Sequence, residues 1–509
     1  MKIIKLFQFK FILILFLSFF SSVFCWIDRK PHRPIKPQIQ QVVSVNPKLQ
    51  NTTEEKPVQI KPKPTQIQLK PTQAKPQNSI VHQAESSLES QIQPSVSNLP
   101  EWTMIVYVQA NNNLAKYAIK NFEAMSLIGS NNKLKILVQW YDSNHRGIWR
   151  YRIDKGKMEL IENKSVNMDG NKSSDLVECV RWGVQNYPAQ KYFLILWNHG
   201  VGILDPLWGN TRFSVDAEIL HQSPKIQIQD LTIKNFDFNS LIETMGEEQR
   251  GILFNEMSRT YMTNQELKKA LSEIKNNVLK RKIDLLGMDA CLMAMLEVGY
   301  QIKDYVNYFV ASEEVEVASG WPYTTFLRPL AKGGFSPYSL AQNIVNTYEN
   351  LYKSKVSFYT QSAVDLQKME ELKISLDLVV ESIRECKKHN VNLVKKIVKQ
   401  SRSSCLRFST PSYIDLHSFF VELLKNINTE TTKAANKNCE QYLVTLKDSI
   451  NLAQELMDEV VIANSVGTAV ARAGGMSIYY PSGKIDSSYQ KTDFAKNSLW
   501  ADFLKEFSN

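Results

Sequence analysis

The chain has 509 residues, 43% apolar and 22% charged, a balance that suits a globular protein with length for one large domain or two smaller ones. Its formal charge of +10 is carried mostly before residue 101: Lys2, Lys5 and Lys10 begin it, and residues 26–100 hold ten Lys or Arg against five Asp or Glu. Residues 101–509 are left with only +2, which argues against a nucleic-acid-binding protein.

The first segment, 1–25, has a basic start, an apolar centre at 11–20 (FILILFLSFF) and the small residues Ser21 and Ser22 before Cys25. That order describes a secretory signal cut near Cys25, and the apolar run is too short for a comfortable membrane span. Phe24 stands where a lipid anchor on Cys25 would need a small residue; retention as an uncleaved anchor is the alternative. Residues 26–100 contain 11 of the 19 prolines and no glycine, with Lys63-Pro64-Thr65-Gln66 echoed by Lys70-Pro71-Thr72-Gln73. Pro, Gln and Lys without apolar periodicity cannot form a core, so this stretch reads as an extended spacer, with a pro-segment or a basic arm as alternatives.

Ordered structure is expected from Glu101. TMIVYVQ at 103–109 reads as a strand, ANNNL as a turn, and the following stretch as a helix with Leu114, Ala118, Phe122 and Met125 on one face. LKILVQW (134–140) is a second strand and IWRYRI (148–153) a hairpin or edge strand. A helix over 174–186 then leads to YFLILW (192–197), a third strand. Residues 205–251 break the rhythm: they are polar, and long for a plain connection, which suggests a functional loop, a processing segment or an insertion. A helix over 262–274 follows, with Thr263 and Glu266 as a capping box. IDLLG (283–287) and NYFVAS (307–312) are further strands, and SEEVEVASGWPY (312–323) an acidic loop. Beyond Pro337 the chain reads as mostly helical (338–352, 368–388, 440–463), with MSIYY (476–480) a late strand and a last helix around Trp500 and Phe503. Strands alternating with helices imply an α/β three-layer sandwich around a mainly parallel sheet.

Two apolar runs stop at reactive side chains: YFLILWNHGVG at His199 and IDLLGMDACLMAM at Cys291. Parallel strands that release a His and a Cys at one sheet edge supply a nucleophile and an acid/base. Gly200 lets backbone approach a ligand closely. Cys291 is expected to begin a helix over 291–302, whose N-terminal amides would lower the thiol pKa and cradle an oxyanion. Either residue alone is as easily a core histidine or a small buried hydrophobe. The five cysteines after the signal (Cys179, Cys291, Cys386, Cys405, Cys439) show no CxxC or Cys/His cluster, so structural zinc is not expected. Their odd number leaves a thiol unpaired, while Cys386, Cys405 and Cys439 are open to pairing.

WTMIVYVQANNNL, FLILWNHGVG, YMTNQELKKAL, IDLLGMDACLMAMLEVGYQIKDYVNYFVASEE and GWPY, with the weaker YIDLHSFF, GMSIYYP and LWADFL, resemble the clostripain family of cysteine peptidases. The wider group includes caspases, legumains and gingipains. The resemblance implies a caspase-like catalytic core over 101–335, completed by a largely helical region over 336–509. It implies Cys291 as nucleophile, His199 as acid/base, and the N–H groups of Gly200 and Cys291 as an oxyanion hole, with no dedicated third member. Asp289 matches the family's acid in the pocket for an Arg or Lys side chain; a helix cap is its alternative role. Glu313, Glu314 and Glu316 are further acids available to that pocket or to calcium.

The implied protein is an exported endopeptidase in the periplasm, envelope or medium, open to self-processing, acting on peptides with Arg or Lys as a monomer, without nucleic acid and without a transmembrane segment once mature. Self-processing would follow a basic residue, with Arg146, Lys155, Lys225, Lys234 and Arg250 as candidates. Asn111, and Asn255 with Glu256, depart from the family's acidic pattern, which weakens the case for Ca2+. A non-catalytic binding module of the envelope and a peptidase of other P1 preference are the competing readings.

Overall fold

The structure is a computed structural model that describes residues 99–145, 147–166, 170–204, 252–432 and 439–508, all within the unit Glu89–Asn509. The expected signal and spacer, the 205–251 segment with Lys225, Lys234 and Arg250, and Arg146 lie outside the described residues. Lys155 is exposed in the turn that joins two strands of a hairpin.

In chain order the elements are β1 (Trp102–Gln109), α1 (Ala115–Ser126), β2 (Leu134–Tyr141), β3 (Ile148–Asp154), β4 (Lys157–Lys164), α2 (Ser173–Asn186), β5 (Lys191–Trp197), β6 (Ile252–Asn255), β7 (Thr260–Met262) and α3 (Asn264–Glu273). Then follow β8 (Ile283–Asp289), α4 (Leu296–Ile302), β9 (Val306–Ala311), α5 (Tyr323–Leu330), α6 (Pro337–Tyr352), β10 (Thr360–Asp365), α7 (Met369–His389), α8 (Val391–Ser404), β11 (Tyr413–Asp415) and α9 (Leu416–Thr431). The last are α10 (Glu440–Val460), β12 (Val461–Val466), β13 (Ser477–Tyr479), α11 (Asp493–Asn497) and α12 (Trp500–Phe507).

One nine-stranded sheet runs in the order β12-β10-β9-β8-β5-β1-β2-β3-β4. Its centre, β2-β1-β5-β8-β9, is parallel, and antiparallel strands flank it on both sides. β1 and β8 are buried at every position and β5 at all but its first, which is why these segments read as unbroken apolar runs. Side chains alternate between two cores: Ile105, Tyr107, Leu194 and Leu286 face one, while Met104, Val106, Ile195 and Leu285 face the other. α1, α5 and α6 cover the second face; α2, α3, α4 and the C-terminal helices cover the first. This is the expected caspase-like α/β/α sandwich.

Local signals behave as their chemistry dictates. Thr263 and Glu266 form the reciprocal capping box on α3. Ala118, Phe122 and Met125 are buried along α1. The region after residue 336 is less purely helical than its sequence suggests: the helix beginning at Glu440 stops at Val460, and β12 joins β10 at the sheet's edge. These two strands, TQSAVD and VIANSV, have too few large apolar residues for a buried-strand signature. β10 is buried through its pairing with β9 and β12, whereas β12 at the sheet's edge stays mostly half-exposed.

Candidate active site

The sheet brings the two reactive residues to one place. β5 and β8 are parallel neighbours, with Trp197 opposite Asp289. His199 and Cys291 each follow that last pair by two residues, and Asn198 N donates to Asp289 O at 3.4 Å just beyond it. Gly200 then packs on the backbone of Cys291: a Cβ there would lie 2.6 Å from Cys291 O. Only glycine permits that approach.

Asn198 holds this turn in place. Its Nδ2 donates to Phe254 O at 2.9 Å and also to Gln109 O, and its Oδ1 accepts from Phe254 N at 3.0 Å. One amide thus joins the ends of β1, β5 and β6. Asn113, in the Asn-rich turn after β1, supplies the partner for the histidine: His199 Nε2 lies 2.9 Å from Asn113 Oδ1. An amide oxygen accepts only, so Nε2 carries the proton. Asn113 is therefore a third, orienting residue that the sequence reading did not find. Its signal was the NNN turn itself, in which no one asparagine stands out.

Burial lowers the His199 pKa to about 4, so the ring is neutral in the folded protein. The Cys291 thiol is moved the other way, well above its ordinary value, by burial and then by the Glu316 carboxyl, against a counteracting hydrogen bond from Glu316 N to Sγ at 3.3 Å. The expected helix start at Cys291 is not there. Leu292 takes a left-handed φ of +61°, its N–H donates to Glu314 O at 3.1 Å, and Ala294 N donates to Ser312 O at 2.8 Å. Met295 pairs with Ser477, so 291–295 is drawn out against the loop after β9 and against β13, and α4 begins only at Leu296. The thiol consequently gains nothing from a helix dipole, which acts only over the first turn. The resting pair is a thiol and a neutral imidazole.

Asp289 is buried at the C-terminal end of β8. Its Oδ2 accepts from Tyr323 OH at 2.8 Å and from Trp321 N at 3.4 Å, and the Glu316 carboxyl is hydrogen-bonded to it. Since no helix starts beside it, helix capping is not its role. Gly320, at φ +68°, makes room: a Cβ there would sit 2.9 Å from Asp289 Oδ2. Burial raises the Asp289 pKa, and burial followed by the facing Asp289 raises that of Glu316 far more.

Glu313 and Glu314 have other partners. Glu313 Oε2 accepts from Gly475 N at 3.0 Å, and its carboxyl pairs with Asp415 at the end of β11. Glu314 accepts from Val315 N at 2.8 Å and Ser409 N at 2.9 Å, and burial raises its pKa to about 7. Both tie the acidic loop to the C-terminal region; of the three glutamates, Glu316 is the one beside Asp289.

Among the described residues no three His, Cys, Asp or Glu side chains converge as a metal would require. At the two departures from the family's acidic pattern, Asn111 Nδ2 donates to Asn255 Oδ1 at 2.9 Å, an amide pair that calls for no cation. All five described cysteines are buried free thiols. No helix among the described residues is long and apolar enough to cross a membrane.

Residues 106–213 and 239–507 match the model of the Clostripain family. No curated protein sequence matches the chain significantly. Among solved structures, an inactive zymogen C11 protease from Parabacteroides distasonis is 17% identical with a TM-score of 0.52, over 78% of this chain and 98% of its own. A secreted C11 cysteine protease from Bacteroides thetaiotaomicron, in complex with an irreversible peptide inhibitor, is also 17% identical, with a TM-score of 0.51 over 79% of this chain and 99% of its own. At that identity these two neighbours speak for the fold.

Proposed function

The chain belongs to the clostripain family and is a cysteine-type peptidase, and from that premise we propose that it is an exported endopeptidase cleaving after Arg or Lys, with Cys291 as nucleophile and His199 as acid/base. The observation that carries this reading is the register of β5 and β8: His199 and Cys291 leave adjacent parallel strands two residues past the Trp197–Asp289 pair, with the Asp289 carboxyl buried behind the nucleophile.

Neutral His199 takes the thiol proton as Sγ attacks the carbonyl carbon of the residue whose side chain meets Asp289. The N–H groups of Gly200 and Cys291 receive the charge that develops on the carbonyl oxygen. The imidazolium returns its proton to the departing amine as the C–N bond breaks, leaving a thioester. Water then attacks the thioester and gives a proton to His199; the C–S bond breaks, the acid is released, and Sγ takes that proton back to restore the thiol and the neutral imidazole. Asn113 keeps the ring oriented throughout, because its amide oxygen holds the Nε2–H.

Export is supported by the basic and apolar start of the chain, and self-processing by the basic residues before and within 205–251. The direct test uses Arg- and Lys-aminomethylcoumarin peptides with thiol reductant, with Cys291→Ala as control. Wild type is expected to release coumarin from both, and the variant from neither. Equal inertness of the two would refute the reading. Covalent capture of Cys291 by an acyloxymethylketone probe separates a peptidase from a fold that only binds.

A further inference from the structure

The turn after Cys291 is gripped from two sides. On one side is the loop after β9: Leu292 N donates to Glu314 O at 3.1 Å, Ala294 N donates to Ser312 O at 2.8 Å, and Glu316 N donates to Cys291 Sγ at 3.3 Å. On the other is the start of β13, where Ser477 N donates to Ala294 O at 2.9 Å. Glu313 lies between the two residues whose carbonyls make the first grip, and Gly474 and Gly475 come just before the second. A pair of wholly buried acids ties these two places together. Glu313 Oε2 accepts from Gly475 N at 3.0 Å, and Asp415 Oδ2 accepts from Gly474 N at 2.6 Å. Seated on consecutive amides, the two carboxyls hydrogen-bond to each other. Ionised carboxyls only accept, so that bond exists only while one of them keeps a proton. Asp415 also accepts from Ser418 N at 2.5 Å, which gives it two backbone donors where Glu313 has one. Asp415 is therefore the better-stabilised anion, and Glu313 is the acid that donates. Around the pair stand Glu314 on the same loop, His417 on α9 and Cys405 just after α8; Arg402, Arg407 and Arg472 in turn act on Cys405.

We propose that Glu313 and Asp415 are a positioning pair whose shared proton holds both grips on the Cys291 turn, so that losing it in alkaline solution releases the turn and withdraws the nucleophile. This rests on the reading of Cys291 as the nucleophile. Once the Glu313 proton leaves to solvent, two buried carboxylates face each other and the hydrogen bond becomes a repulsion. Relief comes as the loop after β9 and residues 474–477 move apart, and the Leu292 and Ala294 amides then lose the frame that places Sγ. Neither acid touches substrate; both act through the turn. Burial, and then the facing Asp415, hold the Glu313 proton on far above the ordinary carboxylate range. The tied form is therefore complete below that raised value and is lost as the pH climbs through it. His417, when protonated, favours the Asp415 anion, and Glu314 favours the proton on Glu313, so both neighbours support the same arrangement.

The test follows kcat/KM for Arg and Lys coumarin peptides from pH 6 to pH 10 in wild type, Glu313→Gln and Glu313→Ala. Gln keeps both contacts, since its amide oxygen accepts from Gly475 N and its N–H donates to Asp415 at any pH, whereas Ala keeps neither. Wild-type activity is expected to fall on the alkaline side, and that of Glu313→Gln to persist at least about one pH unit further. Glu313→Ala should lose at least about tenfold at every pH, the scale of a displaced reacting group. Coincident alkaline limbs in wild type and Glu313→Gln, equal losses in the two variants, or no loss in Glu313→Ala each overturn the proposal. A wild type that cleaves nothing removes the peptidase reading, and in that case, or if the variants fail to fold, hydrogen exchange of the wild type decides. Protection of the Leu292 and Ala294 amides, corrected for the intrinsic rise of exchange with pH, should fall about tenfold between pH 7 and pH 9. Constant protection over that range refutes the tie.

Discussion

At the scale of single residues, His199 and Cys291, the proposed catalytic pair, are both neutral at rest, and that has a measurable consequence. Burial holds His199 near a pKa of about 4 and holds the Cys291 proton on well past neutrality, with Glu316 adding to the effect. A thiolate–imidazolium pair would alkylate at a constant rate down to mildly acidic pH. Here the rate of Cys291 alkylation by iodoacetamide in the absence of substrate should climb steadily from pH 6 to pH 9, without an acid plateau. A flat profile over that range would show that the thiol is already ionised. That Cys291, His199, Gly200 and Asp289 meet at one sheet edge was legible in the sequence, because they end or follow two unbroken apolar runs that can only be buried parallel strands. Asn113 and Asn198 were not legible. Each works through an amide aimed at a partner from another strand, and such a pairing exists only once the sheet is assembled.

At the scale of elements, the site depends on two turns at the C-terminal ends of β5 and β8 pressing together. The expected helix at Cys291 failed for a physical reason: the apolar run CLMAMLEVGY has helical composition, but the N–H groups of Leu292 and Ala294 are claimed by carbonyls of the loop after β9. Long-range pairing outweighed local propensity. The missed strands β10 and β12 fall under the same rule, since each pairs with a strand far away in sequence. The contact between the turns predicts a specific lesion. Gly200→Ala puts a methyl 2.6 Å from Cys291 O and 2.8 Å from Met293 Cγ. The first obstacle is backbone, so the Cys291 turn must shift. The variant should fold with an ordinary melting curve yet lose at least about a hundredfold in kcat/KM, the usual cost of a misplacement near 1 Å. Activity within a few-fold of wild type would mean that the turns are not coupled.

At the scale of the whole molecule, the buried acids set the pH dependence of stability. Burial raises the pKa of Asp289, Glu313, Glu316 and Asp415, and lifts Glu297 and Glu314 to about 7. A carboxyl raised in the folded state keeps a proton there that the unfolded chain has released. Its contribution is therefore fully present below the unfolded value and lost as the pH rises through the folded one. His199 works against this: its folded pKa is depressed to about 4, so the stability it contributes is present above its unfolded value and lost as the pH falls. The surface acids Glu101, Asp154, Glu162, Asp502 and Glu506, lowered through hydrogen bonds and ion pairs, lose their contribution only in more acidic solution still. Between pH 5 and 8 these raised carboxyls, joined by Asp175 and Glu256, oppose one histidine, and the carboxyls should prevail. Tm is expected to be highest near pH 5 and to fall steadily towards pH 8. Glu297→Gln isolates one contributor away from the catalytic pair: Glu297 Oε1 accepts from Tyr479 N at 2.8 Å and its Oε2 has no partner. An uncharged amide there should flatten the decline between pH 6 and 8. A Tm that rises across the same range would mean that these carboxyls are ionised and paired in the folded protein, and that the acid loop is held by charge instead of by shared protons.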